Sequence, residues 1–158
     1  MISPLQNGTL LVVAGGWHDE RPGGASRLPT DFARFLAGRG YPTAYLCPSD
    51  LVARTTRTEV DGVSLWRYPS PMAPSPSAGN VRRHVRWVRH ALRELASEQP
   101  LTTLLGHTQL QYLVAASVCG PSIRRCYAAH SPFVAELMEN VTTRPTLKQR
   151  LAWRGARA

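Results

Sequence analysis

The 158 residues carry 19 basic and 10 acidic side chains, a net charge of +9, with 43% hydrophobic residues. That length fits one domain with a real core, and no apolar run approaches the ~20 residues needed to span a bilayer. The start, Met1 to Gln6, lacks the charged and apolar stretches of a secretory signal, so the expected location is the cytoplasm.

Cys47, Cys119 and Cys126 are odd in number and widely spread. No Cys-x-x-Cys occurs and no Cys/His spacing fits a zinc site, so reduced thiols and no metal are expected. Cys119 and Cys126 lie in or beside apolar segments and read as small core residues. Lys148 is the only lysine, and ten of the 19 basic residues fall in two clusters. One is Arg82, Arg83, Arg86, Arg89 and Arg93. The other is Arg144, Lys148, Arg150, Arg154 and Arg157, with no acidic residue after Glu139. Clustered basic charge attracts nucleic acid, anionic lipid or a phosphorylated substrate.

In chain order, Thr9 to Ala14 is a continuous apolar run and predicts a strand buried on both faces. Gly15 to Gly24 is too rich in glycine and charge for helix or strand. It reads as a binding loop or as a flexible turn. From Ser26 the period becomes helical, and Leu28, Phe32, Phe35 and Leu36 are expected on one face. Gly38-Arg39-Gly40 ends that helix. Tyr41 to Cys47 predicts a second parallel strand, stopped by Pro48-Ser49-Asp50. Asp61-Gly62 between Thr58-Val60 and Val63-Tyr68 is the local signal of a hairpin.

A surface loop rich in proline and serine spans 69–79. Asn80 is then a candidate N-cap. Val81, Val85, Val88, Leu92 and Leu95 follow on one face of a helix whose other positions carry five arginines. The plain reading of those arginines is a solvated face; the sharper one is contact with an anionic surface. Leu101 to Leu105 predicts a third strand, followed at once by Gly106-His107. Gln109 to Cys119 predicts a helix. Ile123 to Ala129 predicts a fourth strand, followed by His130-Ser131-Pro132. Further helices are expected over Phe133–Asn140 and Pro145–Arg157.

Strands alternating with helices on short connections indicate an α/β fold: a Rossmann-like parallel sheet with helices on both faces, plus the small hairpin. If the strands are parallel, the glycine-rich loop, His107 and His130 share the edge that binds ligands in such sheets. A lone histidine after a strand is more often structural; two beside a glycine loop are candidate site residues. Asp19 and Glu20 read as solvated loop charges. No nucleophile has a base beside it, and there is no Gly-x-Gly-x-x-Gly dinucleotide fingerprint or phosphate loop.

The glycine pair Gly23-Gly24-Ala25-Ser26, the run Phe32 to Leu46, the Asp61-Gly62-Val63 turn, Gly106-His107 and Tyr127 to Pro132 fall in the order seen in family 4 glycosyltransferases. From about Thr9 onward the chain resembles the N-terminal, acceptor-side half of such an enzyme, one half of the two-domain GT-B architecture. Tyr41 replaces a common histidine of that family, and Pro42 is unusual.

The resemblance implies a domain over residues 1–144, with 145–158 starting a connecting helix. It implies sugar transfer from a nucleotide diphosphate donor to an acceptor with configuration retained. It makes His130 the residue that contacts the transferred sugar. Gly23, Gly24, Ser26 and His107 become substrate-binding residues, with no metal and no cofactor beyond the donor. The donor-nucleotide site belongs to the family's C-terminal domain. The chain is therefore expected to be incomplete and inactive alone, with a separate donor-binding domain or subunit as partner; the basic helix, for its part, would suit an anionic lipid or phosphorylated acceptor and peripheral contact with an anionic membrane. Two readings stand beside this one. One is a basic, non-catalytic module for an anionic partner; nucleic acid is disfavoured there, since no nucleic-acid-binding motif and no interleaved aromatics occur. The other is a small nucleotide-dependent enzyme complete in itself.

Overall fold

The computed structural model describes residues 8–70 and 78–128. The chain divides into two compact units, 1–128 and 129–158, and every described residue lies in the first. The expected helices after 132, the domain boundary at 144 and the second basic cluster lie outside the described residues.

The elements run β1 (Thr9–Val13), α1 (Gly24–Gly38), β2 (Thr43–Ser49), β3 (Thr56–Val60), β4 (Val63–Pro69), α2 (Ala78–Glu98), β5 (Leu101–Gly106), α3 (Gln109–Val118) and β6 (Arg124–Tyr127). They build one six-stranded sheet in the order β3-β4-β2-β1-β5-β6. β1, β2, β4, β5 and β6 are parallel, and β3 pairs antiparallel to β4 at one edge. The expected mixed α/β, Rossmann-like sheet is observed.

Two cores lie on opposite faces. Alternate residues of β1 divide between them, as the two-residue period of a strand requires. Leu11 and Val13 join Leu46, Trp66, Leu104 and the buried sides of α2 and α3. Val12 and Ala14 join Trp17, Tyr45, Leu65 and Ala33 of α1. Val88, Leu92 and Leu95 are buried as expected, whereas Val81 is exposed near the start of α2. α2 begins at Ala78, as soon as the prolines end, so Asn80 lies in the first turn and is not the cap. Pro69 closes β4, where a strand's last residue needs no further donor.

The buried face of α1 overturns the expectation. Leu28, Phe32 and Phe35 are 56%, 37% and 56% exposed. Ser26, Thr30 and Ala33 are buried instead, with Ala37 packed partly beneath. The space between helix and sheet is taken by the indole of Trp17, which comes from the loop, so the helix offers small residues there. Cys126 is also exposed, on the edge strand β6, against its expected place in the core.

Helix α1 closes with the bonds Gly40 N–H to Ala37 O, 2.9 Å, and Tyr41 N–H to Leu36 O, 3.1 Å. This is the Schellman pattern, and it uses Tyr41, so β2 starts at Thr43. Pro48 does not stop the strand. The β1 ladder ends at Val13 opposite Leu46, and β2 continues only along β4 to Ser49 opposite Pro69. No neighbour on the β1 side needs a proline N–H.

At the hairpin, Asp61 and Gly62 have φ of 52° and 77°, the signature of the two-residue turn that matches strand twist. A Cβ on Gly62 would stand 3.6 Å from Ala37 Cβ, an ordinary contact, so a substitution pays for its dihedral alone. Gly62→Ala is expected to lower the unfolding free energy by about 1 kcal/mol. Gly62→Asn should lower it less, with urea titration as the measurement.

Candidate functional site

The sheet grows from β1 in one direction through β2 and β4, then α2 carries the chain back to β5 on the other side of β1. Helix α1, after β1, lies on one face of the sheet, and α3, after β5, lies on the other. The connections therefore diverge above the carboxyl ends of β1 and β5. Such a switch point leaves a crevice at which ligands bind in open α/β sheets. The ladder places Val13 opposite Gly106 and Gly106 opposite Tyr127. The glycine-rich loop and His107 thus leave adjacent strands at one level.

The loop is internally bonded. Glu20 and Arg21 donate backbone N–H bonds to Trp17 O at 3.2 and 2.9 Å. Tyr45 on β2 donates its hydroxyl to Gly16 O at 2.8 Å. The same ring meets the Trp17 indole edge-on at 5.0 Å. Burial pushes the Tyr45 hydroxyl far above its ordinary titration range, so it stays a donor. From α1, Thr30 accepts the His18 N–H at 3.1 Å. The Ser26 hydroxyl faces Arg21 O at 2.6 Å and Gly23 O at 3.0 Å.

Charged side chains close the loop on both flanks. Arg34 bonds Asp19 Oδ2 at 2.5 Å and Asp61 Oδ2 at 2.8 Å, and lies 4.9 Å from the centre of the Trp17 ring. Its guanidinium holds the Asp19 carboxyl below the usual carboxylate range. Arg67 of β4 bonds Glu20 Oε1 at 2.5 Å, with side chains only 14% and 19% exposed. Ser49 donates to Glu20 Oε2 at 3.2 Å. Glu20 is therefore a half-buried, partnered carboxylate and not a solvated loop charge.

Beside these groups lies a pocket of about 260 Å³ lined by Trp17, Glu20, Arg21, Pro48, Ser49, Asp50 and Ser70. At its margin Ser70 Oγ lies 2.9 Å from His84 Nδ1, and Tyr68 Oη lies 3.4 Å from His84 Nε2. Burial holds the His84 imidazole below its ordinary pKa, which favours the neutral ring between two hydroxyls.

The residues expected from sequence are distributed as follows. Gly23 is exposed, with open space around its Cα, and Gly24 opens α1, whose N-terminus no side chain caps. Ser26 is buried and bonds the loop's own carbonyls. His107 follows β5, half-buried, its N–H on Val13 O at 2.9 Å. The glycine before it has a packing reason: a Cβ on Gly106 would fall 2.6 Å from Tyr112 Cβ. His130 lies outside the described residues. Gly23 and His107 do not line the pocket. Glu20, Arg21, Ser49, Asp50 and Ser70 do, and none of them belongs to a recognisable motif. Among the described residues no cluster of three His, Cys, Asp or Glu side chains could hold a metal ion.

Removing one partner of the Arg67–Glu20 pair strands a half-buried charge. Arg67→Met is expected to cost about 2 kcal/mol of stability, and the double variant Arg67→Met with Glu20→Gln to restore most of it, measured by denaturant titration. The thiols give a second check. Burial, with the nearby Glu20 charge, pushes Cys47 up to about 12, and Cys126 is exposed. Since the thiolate is the nucleophile, alkylation followed by peptide mass spectrometry should modify Cys126 first and Cys47 only after unfolding.

The chain matches no protein-family model and no curated protein. Among solved structures it is similar to that of apo UGT2 from Phytolacca americana, at 17% sequence identity and a TM-score of 0.47. The similarity covers 85% of this chain and 34% of the other, so the chain spans about a third of that protein's length.

Proposed function

We propose that these residues form the acceptor-side half of a glycosyltransferase, an N-terminal GT-B domain of family 4 type that acts with retention on a nucleotide-sugar donor. The observation that carries this reading is the crevice at the switch point, where a bonded glycine-rich loop after β1 meets Gly106-His107 after β5. Both segments are ones on which the sequence resembles that family.

On this reading the exposed backbone at Gly23, ahead of the uncapped start of α1 at Gly24, approaches the donor's phosphates and sugar. Ser26 contributes by holding that backbone in place. His107 flanks the crevice, and His130 contacts the transferred sugar. The donor nucleotide falls to a second domain. The pocket beside Glu20 receives the acceptor. Its Ser49 and Ser70 hydroxyls, the Asp50 carboxylate and the Arg21 guanidinium suit a polar, hydroxyl-bearing molecule. No side chain is assigned as a covalent nucleophile, so the chain's contribution is positioning and charge stabilisation.

The test uses the full-length protein isolated from its own cells, with a panel of nucleoside diphosphate sugars and a hydroxylated extract from the same cells as acceptor. Transfer with retained anomeric configuration is the expected outcome, read from the product's anomeric proton. His130→Ala should reduce turnover by about a hundredfold or more with an unchanged circular dichroism spectrum. An inverted product rejects the retaining mechanism. Absence of transfer from every donor rejects the enzyme in favour of a non-catalytic binding module.

A further inference from the structure

Helix α2 carries a feature that sugar transfer does not use. Arg82, Arg86, Arg89 and Arg93 follow one another at steps of four, three and four residues. They form a single ridge along the outer face of the helix, about 16 Å long at 1.5 Å per residue. All four are exposed, and none makes an ion pair with any described residue. The helix holds two carboxylates: Glu94 lies 3.4 Å from His90, beside the ridge, and Glu98 accepts from Arg57 at 2.8 Å. The arginines frame an open groove of about 500 Å³ with Val85, Trp87 and His90. Its neighbour, of about 610 Å³, runs from Arg89 and Arg93 to Ser117 and Val118 of α3. Four like charges held side by side with no ion-pair partner among the described residues repel one another, an arrangement that an anionic partner relieves.

We infer that this ridge is an electrostatic docking surface for an anionic lipid bilayer. The shape of the partner follows from the shape of the ridge. A straight row of guanidinium groups on the back of a helix lying flat against a sheet meets a flat field of phosphate headgroups along its whole length. Reading nucleic acid calls for more than charge, namely amide side chains at base edges or free aromatic faces for stacking. The ridge carries no amide side chain, and the aromatic in its groove, Trp87, is half-buried against the core with its ring 6.1 Å from that of His90 at a steep angle, so it presents no open face for stacking. The contact is also one of charge without insertion. The apolar side of α2, Val88, Leu92 and Leu95, is buried in the domain's own core and has nothing to offer the acyl chains. Binding should therefore need anionic lipid and fade with salt. Each arginine brought to such a surface strengthens binding about fivefold.

The experiment is co-sedimentation of the full chain with phosphatidylcholine vesicles, with and without phosphatidylglycerol as one lipid in three. It is run at about 50 and about 200 mM salt. The expected result is binding to the anionic vesicles alone, weakening at the higher salt. Arg86→Glu with Arg89→Glu should lower the partition coefficient by about tenfold or more. Arg54→Glu with Arg124→Glu makes the same change in net charge at exposed sites outside α2 and should lower it far less. Equal losses in the two double variants would show attraction by net charge and overturn the assignment. So would absence of binding, equal binding to uncharged vesicles, or tighter binding to a DNA duplex than to anionic vesicles at the same salt.

Discussion

The hydroxyl of Tyr45 is buried in the middle of β2, and a buried hydroxyl without a partner costs more than it returns. It finds its acceptor in the carbonyl of Gly16, 29 residues earlier in the chain. That single bond fixes the height at which the glycine-rich loop leaves the sheet. The Trp17 indole follows, packed edge-on to the same ring and sealing one core from above. With Trp17 in place, α1 must approach through small residues, and Arg34 reaches both the loop and the hairpin turn. The loop, the helix after it and the wall of the pocket all take their positions from this contact.

The two faces of the sheet are built on different terms. The face under α1 is the thinner layer, in which the helix adds only small side chains to Trp17, Tyr45, Val63 and Leu65, clasped at its margin by ion pairs. The face under α2 and α3 is a thicker apolar layer, in which Leu92, Leu95 and Leu104 lock into Trp66 and Tyr68. The polar pocket belongs to the thin side and the loop, whereas the arginine ridge stands on the helix anchored by the thick side. The pocket and the ridge-bearing helix meet at Ser70, whose Oγ lies 2.9 Å from His84 Nδ1 of α2.

The strands were legible because β-sheet burial writes itself into short apolar runs, and the hairpin because Asp61-Gly62 allows few other conformations. The buried face of α2 could be read for the same kind of reason, since its valines and leucines keep the helical period. The buried face of α1 could not. Leu28, Phe32 and Phe35 have the right spacing, yet the competing apolar group, Trp17, comes from a loop in which no period exists. The candidate site divides similarly. Gly23, Gly24 and His107 announce themselves by type and by position at strand ends. The Glu20–Arg67 pair joins residues 47 apart, and nothing local to either one signals the other. Ser49 and Asp50 line the pocket only because β2 runs past Pro48, and that depends on where the ladder of β1 stops.

The antiparallel strand β3 ends the sheet on one side with Arg57 and Glu59, and Arg57 also reaches Glu98 at the end of α2 and lies 5.8 Å from the ring centre of Trp66. A second molecule that tried to extend the sheet there would have to align charged residues with charged residues and pull Arg57 away from the indole it covers. The outermost hydrogen-bonding groups of β3 therefore stand open to water yet are poorly suited to recruit another strand. The same short hairpin that widens the sheet thus also acts as a guard against ribbon-like self-assembly.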